Sequence, residues 1–250
     1  MTWYRQLVKH SLTACLPREW WLVRGPRRHQ PPPYPISLTF DDGPHPEFTP
    51  RVLSLLQRWE QRATFFVVGE RVERYPELVR AVVAAGHELG NHTYHHTVAG
   101  ELPLNEWLDE VDRTQRVLRD LVGYAPRWFR PPKGKLTARG LLGLWRRGLS
   151  VVLWSADPRD YLYHDRQTLQ TAAPCVWDAG EIVLLHDHQP ASGWLLESWG
   201  QAGWFEHWQS VGLSHWFRTP ADLTAALPSA SSSLLPVTNW CPLVNIRERS

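Results

Sequence analysis

Asp41 and Asp42 stand side by side at the end of an apolar, β-rich run, Ile36-Ser37-Leu38-Thr39-Phe40, and Gly43-Pro44 turns the chain at once. Neighbouring carboxylates repel unless a cation or a proton lies between them. That suits a metal held by one carboxylate while the other handles a proton. Asp-Asp-Gly-Pro is equally ordinary turn chemistry, so the pair alone leaves both readings open. Farther along, Asn91-His92-Thr93-Tyr94-His95-His96 sets His92 and His96 four apart, one helical turn, so that both rings can point the same way. Two imidazoles and a carboxylate form a facial set for a divalent metal, with positions left for water and substrate. A histidine-rich loop with no ligand is the plain alternative, and His95 points elsewhere.

The elements that must position these groups alternate. Strands are expected at Ile36–Phe40, Ala63–Val68, His87–Asn91, Arg127–Arg130, Leu149–Ser155 and Glu181–His186. Helices are expected at Thr49–Glu60, Arg71–Ala85, Leu104–Leu121, Thr137–Arg147 and Arg166–Trp177, several of them stopped by glycine. A helix near Trp194–Gln209, a seventh strand at His215–Arg218 and a turn at Ala221–Leu227 complete the pattern. Such regular alternation implies parallel pairing with right-handed crossovers, and seven strands point to a closed or nearly closed α/β barrel. Polar clusters fall at successive strand ends: Asp41-Asp42, His92 to His96, Arg130, Asp157 to Asp160, and His186. In a barrel that is the one rim where side chains from different strands converge.

Composition limits the rest. The 250 residues, 43% hydrophobic and 21% charged, can bury a full core and read as a soluble globular chain. A net charge of +2 with no long basic surface argues against a nucleic-acid partner. The three cysteines, Cys15, Cys175 and Cys241, form neither a disulfide framework nor a zinc knuckle. No window is apolar enough to span a membrane, and Lys9, His10, Pro17, Arg18 and Glu19 interrupt what a signal peptide would need. A cytoplasmic location is therefore expected. Residues 1–28 carry six basic residues against one acid, with Trp3, Tyr4, Leu7, Val8, Leu12, Cys15 and Leu16 at helical spacing. This reads as an amphipathic helix that either lies on the inner face of the membrane or closes the bottom of the barrel. Pro31-Pro32-Pro33 then acts as a stiff linker. The domain plan is an N-terminal helix and linker over 1–35, a barrel over 36–228, and a tail over 229–250. Five tryptophans in the last third (Trp194, Trp199, Trp204, Trp208, Trp216) are read mainly as packing, with one or two lining the cleft.

Taken together, Thr39-Phe40-Asp41-Asp42-Gly43-Pro44, His92-Thr93-x-x-His96, Arg130-Pro131-Pro132-Lys133-Gly134, Asp157-x-x-Asp160 and Val183-Leu184-Leu185-His186 resemble the five ordered motifs of the polysaccharide deacetylases, the family 4 carbohydrate esterases. The resemblance runs from about Ser37 to His186. It implies a distorted (β/α)7-type barrel and metal-dependent hydrolysis of an N-acetyl group from an amino-sugar-containing glycan or glycolipid, with acetate released. An N-acetylglucosamine unit is the substrate so implied, and a lipid-linked amino sugar is expected if residues 1–28 lie on the membrane. By the same resemblance Asp42, His92 and His96 are metal ligands, usually for zinc, with cobalt or nickel able to replace it. Asp41 matches the base, Arg130 the arginine that orients it, and His186 the general acid, held by Asp160. Lys133 matches the main-chain N–H donor to the oxyanion, and Trp154 and Leu184 the walls around the acetyl methyl. Arg62 is a candidate cation partner for Asp160. Asp157, Asp187 and His188 are read as structural or loop residues. Three positions depart from the family: Thr97 where proline is usual, Lys133 where tyrosine is common, and Tyr161 where tryptophan is. The Lys133 side chain adds positive charge that would favour an anionic substrate. Two other classes stay open, an amidohydrolase acting on a non-sugar C–N bond and a non-catalytic glycan-binding relative.

Overall fold

A computed structural model describes residues 20–26, 31–172 and 177–217. One parallel sheet contains β1 (Trp21–Leu22), β2 (Tyr34–Asp41), β3 (Ala63–Val67), β4 (Glu88–Asn91), β5 (Trp128–Phe129), β6 (Ser150–Val152), β7 (Ile182–His186) and β8 (Trp208–Ser210). Their spatial order is β1-β6-β5-β4-β3-β2-β7, with β8 paired to the start of β2. The sheet curls into a distorted barrel, and its seam is crossed by backbone bonds from Ala156 N to Ile182 O (3.1 Å), Leu184 N to Ala156 O (3.0 Å) and Gly25 N to Gly180 O (2.8 Å). Around it run α1 (Phe48–Arg58), α2 (Gly69–Arg74), α3 (Pro76–Ala84), α4 (Leu104–Val122), α5 (Ala138–Arg146), α6 (Arg166–Ala172) and α7 (Ala191–Gln201).

The strands are uninterrupted apolar runs because they are covered on both faces. Leu38, Phe40, Val183 and Leu185 pack outward against Val52 and Leu56 of α1 and Leu195 and Leu196 of α7. Alternate residues turn inward, where Phe66, Trp128, Val152 and Ile182 fill the barrel. Phe66 fits because Gly90, its register neighbour on β4, has no side chain: a Cβ there would overlap the Phe66 ring. On β2 and β7 the same parity puts Thr39 beside Leu184 and Asp41 beside His186, one layer above the other.

Several expectations are corrected. Trp21–Leu22, read as part of a helix and its tail, is a strand paired with Val151 and Val152. The expected helix over Arg71–Ala85 is two helices, because a residue before proline disfavours the helical region; Tyr75 takes φ −133°, ψ 57° and Pro76 starts the second. The helix expected to reach Gln209 stops at Gln201, and Trp208–Ser210 forms β8 against Tyr34–Ile36. Of the strand expected at His215–Arg218, the described residues form a 3-10 turn, Leu213–Phe217, that puts Leu213 and Trp216 into the bottom of the barrel, with Trp216 Nε1 donating to Ser37 Oγ at 2.8 Å. The expected helix over residues 1–19, the end of the helix over 173–176, and the turn and tail from 218 onward lie outside the described residues. Among the described residues no helix is long and apolar enough to cross a membrane.

Apart from Trp216, tryptophans of the last third form a cluster outside the barrel: Trp177, Trp199, Trp204 and Trp208. Trp199 meets Trp177 edge-on (4.8 Å) and Trp204 stacked (5.3 Å), and Trp204 continues to Trp208 (5.7 Å). This cluster belongs to the core shared by α1, α7 and the sheet, not to the polar rim. Trp199→Ala should therefore lower unfolding free energy by about 3–5 kcal/mol in urea melts while leaving divalent-metal affinity unchanged; a loss below about 1 kcal/mol would show that the cluster is not core.

Candidate active site

The polar groups of the rim meet at the C-terminal ends of β2, β4, β5 and β7. Arg130, fully buried, follows β5 and points back across the barrel. Its guanidinium lies over the Phe66 ring (4.2 Å) and donates to Thr39 Oγ1 (2.7 Å), Asp41 Oδ1 (2.7 Å), Val152 O (3.3 Å) and Leu153 O (3.1 Å). Asp41 is thus fixed through one oxygen, while the other lies 3.8 Å from His92 Nε2.

Asp42 takes φ 71°, and this left-handed turn swings its carboxylate away from that of Asp41. Asp42 Oδ1 lies 3.4 Å from His92 Nε2 and 3.2 Å from His96 Nε2, buried and without a hydrogen-bond partner. The three ligand atoms sit within 4.8 Å of one another. His92 Nδ1 is 2.7 Å from Arg130 O; a carbonyl only accepts, so Nδ1 carries the hydrogen and the neutral ring leaves Nε2 bare. A bare nitrogen facing an unpartnered carboxylate oxygen is an acceptor–acceptor contact, which a cation between them converts into attraction. The donor set fits a divalent metal on that ground. Burial opposes ionisation of Asp42, yet positive charge at His92, and then at His96 and His186, holds its carboxyl well below the usual carboxylate range; with the rings of His92 and His96 neutral, that charge must come from a bound cation. Burial also lowers His96, favouring its neutral, ligating form.

The spacing of His92 and His96 does not work through a helix. Residues 92–97 form a loop with Thr93 at φ 65° and His96 at φ 61°, and the two rings converge to 5.0 Å. The loop is held from three sides. Its carbonyls at Thr93 and Tyr94 accept from Gly69 N and Glu70 N (both 3.0 Å), and Asn91 Oδ1 accepts from Thr93 N (2.9 Å). Glu110 of α4 accepts from His95 N (2.7 Å) and Thr97 Oγ1 (3.3 Å) and pairs with His95 Nδ1 (2.6 Å).

On the opposite side His186 ends β7. Asp160, wholly buried in the 3-10 turn Asp160–Leu162, accepts from His186 N (2.7 Å) and Ser192 Oγ (2.5 Å) and pairs with His186 Nδ1 (2.8 Å). Burial alone would lower the His186 pKa, but Asp160, joined by Asp41 and Asp42, pushes it up to about 9. Tyr161 stands edge-on to the His186 ring at 5.5 Å. Lys133 is exposed in the 3-10 turn Pro132–Gly134 at φ 56°, and the Trp154 ring is close to Gly134. Leu184 is buried one layer below His186. Arg62 does not join the group: it precedes β3 at the other end of the barrel, against Gly86, which removes it as a partner for Asp160.

Four residues around the site were not read as part of it. Asp187 is fully buried under the turn after β2, its Oδ2 accepts from Thr49 Oγ1 (2.5 Å), and burial pushes its carboxyl up to about 7. His188 Nδ1 lies 3.3 Å from Asp42 Oδ2. Both lie in the turn after β7, where strand parity no longer tells which side a residue faces, so the sequence held no signal for them. Ser192 and Glu110 carried none.

A family model described as polysaccharide deacetylase matches residues 28–152. A peptidoglycan-N-acetylglucosamine deacetylase of Bacillus cereus is 34% identical over 151 residues, covering 60% of this chain and 55% of that protein. A chitooligosaccharide deacetylase of Bradyrhizobium is 41% identical over 156 residues, covering 62% and 71%. This chain therefore spans little more than half the length of the first. The solved structure of peptidoglycan deacetylase PdaC from Bacillus subtilis superposes with a TM-score of 0.70 at 30% identity, covering 78% of this chain and 96% of that one.

Glu110 touches no ligand atom, so its removal isolates the loop's support. Glu110→Ala should weaken divalent-metal binding about 10-fold in chelator competition; an unchanged affinity would show that the loop keeps its shape without it.

Proposed function

Because this chain belongs to the polysaccharide deacetylase family, we propose that it hydrolyses the N-acetyl group of an amino-sugar unit, N-acetylglucosamine in the first instance, and releases acetate. The observation that carries the reading is the unpartnered Oδ1 of Asp42 facing two imidazole nitrogens, beside a second carboxylate, Asp41, in register with His186. Asp42, His92 and His96 would hold the metal, and zinc suits two nitrogens and one oxygen. When bound, the metal polarises the acetyl carbonyl and makes water a better nucleophile.

The chain's own groups supply the rest. Asp41, oriented through Oδ1 by Arg130, presents its other oxygen to take the proton of the attacking water. Lys133 offers its main-chain N–H to the oxyanion, a donor of a kind that contributes about 3–4 kcal/mol. His186 keeps its proton at neutral pH and, with Nδ1 held by Asp160, delivers it from Nε2 to the leaving nitrogen. Trp154 and Leu184 bound the space for the acetyl methyl. Base and acid stand on adjacent paired strands, about 5 Å apart at the backbone, so both reach one amide bond. The complete set of proton-transfer groups favours an enzyme over a non-catalytic glycan binder. A lipid-linked sugar met at an anionic membrane through the basic residues 1–28 is the finer form of the same proposal.

Acetate release from N-acetylglucosamine oligomers should vanish on chelation and return with zinc or cobalt. A chelated, metal-free protein with full turnover, or a loaded one inert on every N-acetylated glycan, would overturn the proposal. Turnover should also fall as pH rises through about 9, where His186 loses its proton. Asp160→Asn removes the neighbouring anion, so that alkaline limb should move down; a limb that stays in place would rule out the pairing as the cause.

A further inference from the structure

His188 lies outside the three-residue ligand set yet touches it. The two oxygens of Asp42 face different partners: Oδ1 the His92 and His96 nitrogens, Oδ2 the His188 Nδ1 at 3.3 Å. That Nδ1 is buried and has no hydrogen-bond partner. His188 does not complete the cluster of mutually close ligand atoms, which holds only Asp42, His92 and His96 among the described residues. Its ring is held in turn, edge-on against His186 at 5.6 Å. The backbone of Asp42 is fixed separately, its carbonyl accepting from Arg71 at 2.6 Å, so the one freedom left to Asp42 is rotation of its carboxylate.

We propose that His188 is a positioning residue for the metal site: Nδ1–H, 3.3 Å from Asp42 Oδ2 but not yet aligned as a hydrogen bond, closes on that oxygen when Oδ1 alone turns toward the metal. This inference rests on the metal-site reading above. A carboxylate free to rotate would offer either oxygen or both, and part of the binding free energy would go into fixing it. Groups that orient a metal-ligating side chain from behind typically alter affinity by about 10–100-fold.

The test measures zinc affinity of the full chain by chelator competition, with the thermal midpoint of the metal-free protein as a folding control. His188→Phe keeps a ring in place and removes the donor; affinity should fall about 10–100-fold. His188→Asn sets its Nδ2 where Nδ1 stood, and affinity should stay within about 3-fold of wild type. Unchanged affinity in the Phe variant, with wild-type binding intact, overturns the positioning role alone. Equal loss in both variants also overturns it, because donation would then not be what matters. A wild-type chain that takes up no divalent ion overturns the metal-site reading itself, and this inference with it.

Discussion

The buried pair between Arg130 and Asp41 is the interaction on which the rest of the site depends. Two charges removed from water at the centre of a barrel are costly unless every donor and lone pair finds a partner. Here the guanidinium is used on all sides: two strands accept from it, Asp41 is neutralised by it, and its face lies on Phe66. The same residue's carbonyl fixes the tautomer of His92, and its N–H returns to Asn91 O at 3.0 Å. One residue thus orients Asp41 through its side chain and His92 through its main chain. The proposed metal site and the proposed proton-transfer groups therefore cannot shift independently.

Two adjacent carboxylates can do different work because the backbone changes hand between them. Asp41 is the last residue of β2 and keeps strand parity, which places it in register with His186. Asp42 leaves that parity at φ 71° and turns to the histidines. Sequence adjacency therefore becomes separation of roles. The interior beneath is closed by Trp216 and Leu213, so charged groups are confined to one rim above an apolar floor.

Most of this was legible in the sequence, for identifiable reasons. Buried parallel strands announce themselves as apolar runs, and the polar residues that end them carry the family's motifs in order. What escaped depends on distant partners. Trp21–Leu22 is a two-residue strand that exists only because Val151 and Val152 accept it. β8 has no apolar run and forms because the start of β2 offers a free edge. The Tyr75–Pro76 break was visible as proline but outweighed by helical periodicity on both sides. Asp187 and His188 looked like loop residues because an acid and a histidine after a strand acquire meaning only beside Thr49 and Asp42. Arg62 failed for the opposite reason: closeness in sequence to a motif strand put it at the wrong end of that strand.

Five non-glycine residues in these rim loops, Asp42, Thr93, His96, Lys133 and Arg159, hold φ between 56° and 71°. For L-residues this region carries a steric cost, highest for β-branched Thr93, whose buried hydroxyl also lacks a partner. The rim is therefore where the molecule departs from its own stability optimum. Glycine or asparagine at Thr93 would relieve the chain and so raise its tolerance to heat, at the risk of loosening the loop that aims the imidazoles. Selection for robustness and selection for turnover would pull this loop in opposite directions, while the barrel beneath could satisfy both.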